Sequence, residues 1–125
     1  MRSLPIVRPL LLAGLLALTA CSSDTTAPRG STTVVSIENF YFYPFTVAVR
    51  VGASVQWTNY DPVSHTTTSD VGLWDSGALA PVAAAGGAGG SFRFTFMQPG
   101  TYGYHCSIHP PSLYPGFVGV VVVRP

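Results

Sequence analysis

Two side chains three residues apart carry the first chemical signal. They are the thiol of Cys106 and the imidazole of His109, in "YGYHCSIHPPSLYPGFVG" from Tyr102 to Gly119. Soft sulfur beside a ring nitrogen is a donor pair for a transition metal. Cys106 closes the alternating run "TYGYHC", so its sulfur shares a side with Tyr104 and Tyr102 while His105 faces the other way. His105 is therefore a poor co-ligand of Cys106. The chain turns at Ser107 and Ile108 and brings His109 back, and Pro110 and Pro111 stiffen the chain beyond it. Of the three histidines, the remaining donor is His65, in "WTNYDPVSHTTTSD". Two imidazoles and one thiolate, with a weak axial group, suit a copper site built for electron transfer; zinc accepts the same set.

Strands must position these donors. "TVVSIEN" is short and β-rich. "FTVAVRVG" places Val47, Val49 and Val51 on one face and ends at Gly52. "SVQWTN" sets Val55 and Trp57 against Gln56 and Thr58, and "HTTTS" is a β-branched run. "SFRFTF" alternates Phe92, Phe94 and Phe96 with Arg93 and Thr95, and "FVGVVVV" closes the chain. Period-two alternation between turn residues predicts an all-β sandwich or barrel. No stretch after residue 33 has a helical period, and Pro81 with the nearby glycines makes "LAPVAAAGGAGG" a loop. Gly86 to Gly90 lacks the Lys and the following helix of a phosphate loop.

The first residues describe export. Arg2 and Arg8 precede the apolar run "LLLAGLLALTA" and Cys21, the pattern of a secretory signal and too short for a membrane span, which needs about 20 apolar residues. "LTAC" resembles a bacterial lipobox, in which the Cys becomes the lipidated first residue of the mature chain. Residues 1–20 thus read as a signal peptide, 21–33 as a lipidated Cys21 and a flexible tether, and 34–125 as one domain. The chain has two cysteines. With Cys21 lipidated, Cys106 is a lone thiol in an oxidising compartment, a liability unless a metal occupies it. Losing residues 1–20 removes Arg2 and Arg8 and no acid, leaving four arginines against five acids, a formal charge of −1, with no lysine. Nothing basic is available for a nucleic-acid backbone. Only 9% of residues are charged, so a partner would dock through apolar contact more than through charge steering.

The segments "VGASVQWTNYDPVSHTTTSD", "WDSGAL" leading to "GGSFRFTF", "PGTYGYHCSIHP" and "GVVVV" resemble a cupredoxin of the plastocyanin and pseudoazurin kind over most of residues 34–124. The resemblance implies a single-domain Greek-key β-sandwich with one copper ion at one end, cycling between Cu(I) and Cu(II). His65, Cys106 and His109 match three of the family's ligands. The fourth, usually a methionine shortly before a glycine, is missing: the position falls on Tyr114 on a longer ligand loop, or on Ser112 on a shorter one. The mature chain's methionine, Met97, is separated from Cys106 by the strand from Thr101, about 16 Å at roughly 3.3 Å per residue, and belongs at the far end.

The axial position has three readings. Leu113 or Tyr114 packs over a three-coordinate site, the Tyr114 phenol or a carbonyl coordinates, or copper has been lost. The resemblance implies an electron carrier in the cell envelope, monomeric, docking a redox protein near His109 through apolar neighbours such as Pro110, Pro111 and Leu113. The alternatives are a copper storage or delivery module, or a cupredoxin fold without redox function. Thr66 and Ser107, next to ligands, are candidate hydrogen bonders to the site. An enzyme is not expected. His105 beside Cys106 is an arrangement also found in copper oxidases and nitrite reductases, but those sites need histidines this chain lacks. Asp61, Asp70 and Asp75 read as solvated loop residues. Ser22 after Cys21, where aspartate would favour inner-membrane retention, favours the outer membrane.

Overall fold

The computed structural model describes residues 25–83 and 87–125. The signal, Cys21 and Ser22 lie outside the described residues. Eight strands form: β1 (Thr32–Glu38), β2 (Tyr41–Tyr43), β3 (Thr46–Arg50), β4 (Ser54–Asn59), β5 (Thr68–Ser69), β6 (Ser91–Thr95), β7 (Gly100–His105) and β8 (Val118–Arg124). They make two four-stranded sheets, ordered β2-β1-β4-β6 and β3-β8-β7-β5, the all-β sandwich that the alternation predicts. The pairs β1–β4 and β3–β8 are parallel and the others antiparallel.

The period-two pattern selects most of the inward residues, though Val51, Phe92, Phe94 and Tyr102 are only partly buried. Val35, Ile37, Val47, Val49, Val55, Trp57, Tyr104, Val121 and Val123 are buried between the sheets, each large aliphatic worth about 1.5–3 kcal/mol of apolar burial. Trp57 stacks on Trp74 at 5.4 Å between ring centroids, and Tyr104 meets Trp57 edge-on at 5.3 Å. Register puts Tyr104 of β7 opposite Gly119 of β8. A Cβ on Gly119 would fall 2.3 Å from Tyr104 Cζ, so only glycine lets this ring lie flat against β8.

Two expectations need correction. The run "HTTTS" yields only the two-residue β5, and His65 holds a single antiparallel bridge to Leu79. The polar tether also ends earlier than residue 33. Ala27 bridges Val49 in parallel, its N–H donating to Ala48 O at 2.9 Å and its carbonyl accepting from Arg50 N at 3.0 Å. The cause is tertiary. β3 is an edge strand whose free groups need partners, and this segment supplies them.

Candidate metal centre

One end of the sandwich collects the donors. β4 ends at Asn59 and leads into the loop bearing His65; β7 ends at His105, next to Cys106; the β1–β2 turn and Phe117 before β8 close the same end. Cys106 and His65 are fully buried and His109 is half-buried. The Nδ1 atoms of His65 and His109 lie 3.1 Å apart, and Cys106 Sγ lies 3.9 Å from the first and 3.7 Å from the second. A point equidistant from the corners of that triangle lies about 2.1 Å from each, within reach of a metal that takes ~2.0–2.1 Å to imidazole nitrogen and ~2.3 Å to thiolate sulfur. The donor set and its spacing therefore fit one copper ion.

The surroundings fix the donors. Thr66 N–H donates to Cys106 Sγ at 3.3 Å. Thr66 Oγ1 accepts from Ser107 N–H at 2.8 Å and shares a hydrogen bond with Ser107 Oγ at 3.0 Å. Thr66 and Ser107 thus link the two segments that carry His65 and Cys106. On the far side of the His65 ring, Nε2–H donates to Asp61 Oδ2 at 2.8 Å. A carboxylate acceptor there selects the tautomer whose Nδ1 lone pair faces the site.

Asp61 corrects the expectation of a solvated loop acid: it is 5% exposed. It also accepts from the backbone N–H of Asn39 at 2.6 Å and of Phe40 at 3.0 Å. Burial pushes its carboxyl upward, but the Phe40, Asn39 and His65 donors together hold it below the usual carboxylate range. Burial lowers the His65 imidazole and outweighs the opposing pull of Asp61, so the ring is held neutral. Asn59, fully buried, pins the loop between the two. Its Nδ2 lies 2.8 Å from Val63 O and 3.2 and 3.1 Å from Leu79 O and Ala80 O, and its Oδ1 accepts from Asp61 N–H at 2.9 Å.

Phe40 is the other residue that sequence reasoning missed. It meets the His65 and His109 rings edge-on at 5.1 and 4.9 Å. Its φ of 62° follows a φ of 53° at Asn39, a left-handed pair that costs about 1–3 kcal/mol at a bulky residue and persists only where neighbours enforce it. Phe117 meets His65 edge-on at 4.9 Å. Tyr114 lies in the layer outside: it stacks on Phe40 at 5.0 Å and touches His109 edge-on at 5.2 Å. Leu113 beside it is 75% exposed.

Other candidates fall elsewhere. Met97, 64% exposed, follows β6 near the Gly52 turn, at the end of β4 away from Asn59. His105 faces outward, its Nδ1 2.6 Å from Asp70 Oδ1. Asp75 caps its own turn by accepting from Gly77 N–H at 2.9 Å.

Comparison with known proteins agrees with this geometry. A family model described as copper binding proteins of the plastocyanin/azurin family matches residues 30–124. The chain is 32% identical over 87 residues to the chloroplastic plastocyanin of Tetradesmus obliquus, covering 66% of this chain and 58% of that protein. It is 32% identical over 78 residues to amicyanin of Paracoccus denitrificans, covering 62% and 57%. The chain thus spans less than two-thirds of the length of these two relatives. Among solved structures, a purple cupredoxin from Nitrosopumilus maritimus superposes with a TM-score of 0.58 at 29% identity, over 74% of this chain and 99% of that one.

Proposed function

Since the chain belongs to the plastocyanin/azurin family of copper-binding proteins, we propose that it carries single electrons between redox proteins of a bacterial cell envelope. The observation that carries this reading is the buried triangle of His65 Nδ1, His109 Nδ1 and Cys106 Sγ. Copper, when bound, supplies a one-electron couple. His65, Cys106 and His109 are the ligands, held so that little moves when the charge changes. Thr66 N–H steadies the thiolate, and the Asp61 carboxylate orients His65. His109 is the half-buried ligand and offers the shortest way out. Pro110, Pro111 and Leu113 follow it in the chain, and their apolar surface suits a redox partner.

Tyr114 would serve the site as a packed ring outside Phe40 rather than as an oxygen donor. Its stacking on Phe40, which itself meets both histidines, supports this. A copper ion held by His65, Cys106 and His109 without a strong further donor would favour Cu(I) and a high potential. Catalysis is not part of the proposal: the third histidine, His105, is tied to Asp70 on the outer face, leaving none for a second copper. Cys21 anchors the chain by lipid, with the outer membrane as its destination.

The deciding test is the visible absorption and EPR spectrum of residues 22–125 loaded with Cu(II), beside Cys106→Ser. An intense visible charge-transfer band with narrow copper hyperfine splitting, lost in the variant, is expected. A colourless protein, or a spectrum that Cys106→Ser leaves unchanged, overturns the electron-transfer reading and leaves a copper store or a cupredoxin fold without its copper. Tyr114→Phe should leave band and potential in place; a large shift in either would make the phenol a ligand.

A further inference from the structure

We propose that the flank formed by β2 and β3, carrying Tyr41, Tyr43 and Phe45, rests on the headgroup–acyl boundary of a phospholipid bilayer. The proposal rests on the reading of Cys21 as lipidated, and it adds which flank faces the membrane.

The three aromatic side chains are 47%, 50% and 53% exposed and lie within five residues of one another. Tyr41 and Tyr43 point outward from β2 while Phe42 between them is buried. Val34, 52% exposed, extends the patch onto β1. No charged residue occurs from Asn39 through Val49, and the acid nearest the strip, Glu38, pairs with Tyr41 at its end. A strip of tyrosine and phenylalanine with its charge confined to one end has the composition of a membrane-interface belt, where rings sit among headgroups and hydroxyls stay wet.

Position supplies the occupant. β2 and β3 are the edge strands of the two sheets, and the segment Tyr43-Pro44-Phe45-Thr46 joins them. Thr25 lies in a shallow depression with Pro44, Thr46 and Val47, so the chain enters the domain beside the aromatic strip. Only Ser22, Ser23 and Asp24 separate Thr25 from Cys21. Four Cα–Cα steps span at most ~14 Å, so a lipid on Cys21 holds this flank against the bilayer. The opposite flank, β5 and β6, also exposes apolar residues, with Val71 75% and Met97 64% exposed. It lies three strand spacings away, about 14 Å across the sheet, and faces away from the membrane. Tyr41 also packs closely against Gly116, so the strip reaches the loop that carries Tyr114. The metal centre then opens beside the membrane plane, and partners reach His109 along the bilayer surface.

The test uses the full-length chain, lipidated in a bacterial host and reconstituted into vesicles of phosphatidylethanolamine and phosphatidylglycerol, part of it brominated. Tyr43→Trp and Phe45→Trp report on the proposed flank and Val71→Trp on the opposite one. Trp57 and Trp74, 0% and 5% exposed, give a constant background. Brominated lipid should remove the emission added at positions 43 and 45 and spare that added at 71. Unquenched emission at 43 and 45, with mass spectrometry showing lipid on Cys21, overturns the orientation and leaves the lipoprotein reading intact. A chain without lipid that fails to float with vesicles overturns both. Emission at 43 that is unquenched in vesicles and shifts to the blue with protein concentration in detergent assigns the strip to a second copy instead.

Discussion

Three N–H groups converge on the Asp61 carboxylate: those of Asn39, Phe40 and the His65 ring. Removing the acceptor leaves all three without it in a buried setting, at about 1–3 kcal/mol for each stranded donor. Asp61→Ala should therefore destabilise the metal-free protein by about 3 kcal/mol or more in urea titration. Asp61→Asn should cost less and raise the copper reduction potential, because a negative charge beside His65 is lost. An unchanged potential in Asp61→Asn would sink the claim that this carboxylate tunes the centre. The candidate metal donors were legible in the sequence because they are scarce: three histidines and two cysteines, with Cys21 read as the lipidated residue that follows the signal. Asp61 was not legible. An aspartate before proline looks like any loop acid, and its burial arises only where the β1–β2 turn meets the His65 loop.

Among the elements, the β7–β8 pair depends on the close approach of Tyr104 to Gly119. Gly119→Ala puts a methyl into a fully buried ring and should lower stability by about 1–3 kcal/mol, typical of overpacking, as read by thermal unfolding. The β1–β2 turn is the other sensitive element. Phe40→Ala relieves no left-handed φ and removes the ring that covers both histidines. It should leave the fold intact, broaden the copper EPR spectrum and speed exchange of the metal with chelators. A chelation rate equal to that of the parent protein would show that Phe40 does not shield the site. Alternation placed the strands correctly where one face is buried, as at Val55 and Trp57. It overstated β5, because "HTTTS" has the composition of a strand but is pinned by His65 and Thr66 bonds to Leu79 and Ser107 instead of by a ladder.

For the whole molecule, the triangle of donors joins two segments some forty residues apart in the chain, those of His65 and of Cys106–His109, so metal binding must report on folding. Binding only to the native state adds RT ln(1 + [L]/Kd), about 2.7 kcal/mol at a hundredfold excess over Kd. Copper should raise the Tm of the parent protein by several degrees and that of Cys106→Ser far less. Equal shifts in both would place the metal elsewhere. The segment before β1 also belongs to the folded unit. Deleting residues 22–29 uncovers the edge of β3 by removing the Ala27 hydrogen bonds and should lower the Tm or promote self-association.

The sequence alone determined the grouping of His65 with Cys106 and His109 and the all-β class, since each comes from residue identity and short-range spacing. Cys106 and His109 are three residues apart, and period-two alternation fixes which side of a strand a residue faces. Tertiary structure decided what depends on segments distant in the chain. It set the Nδ1–Nδ1–Sγ distances, buried Asp61 under the Asn39–Phe40 turn, laid Phe40 between Tyr114 and the histidines, and docked Ala27 on β3. These outcomes rest on which unpaired groups and apolar faces meet when two sheets close, and local sequence does not encode those meetings.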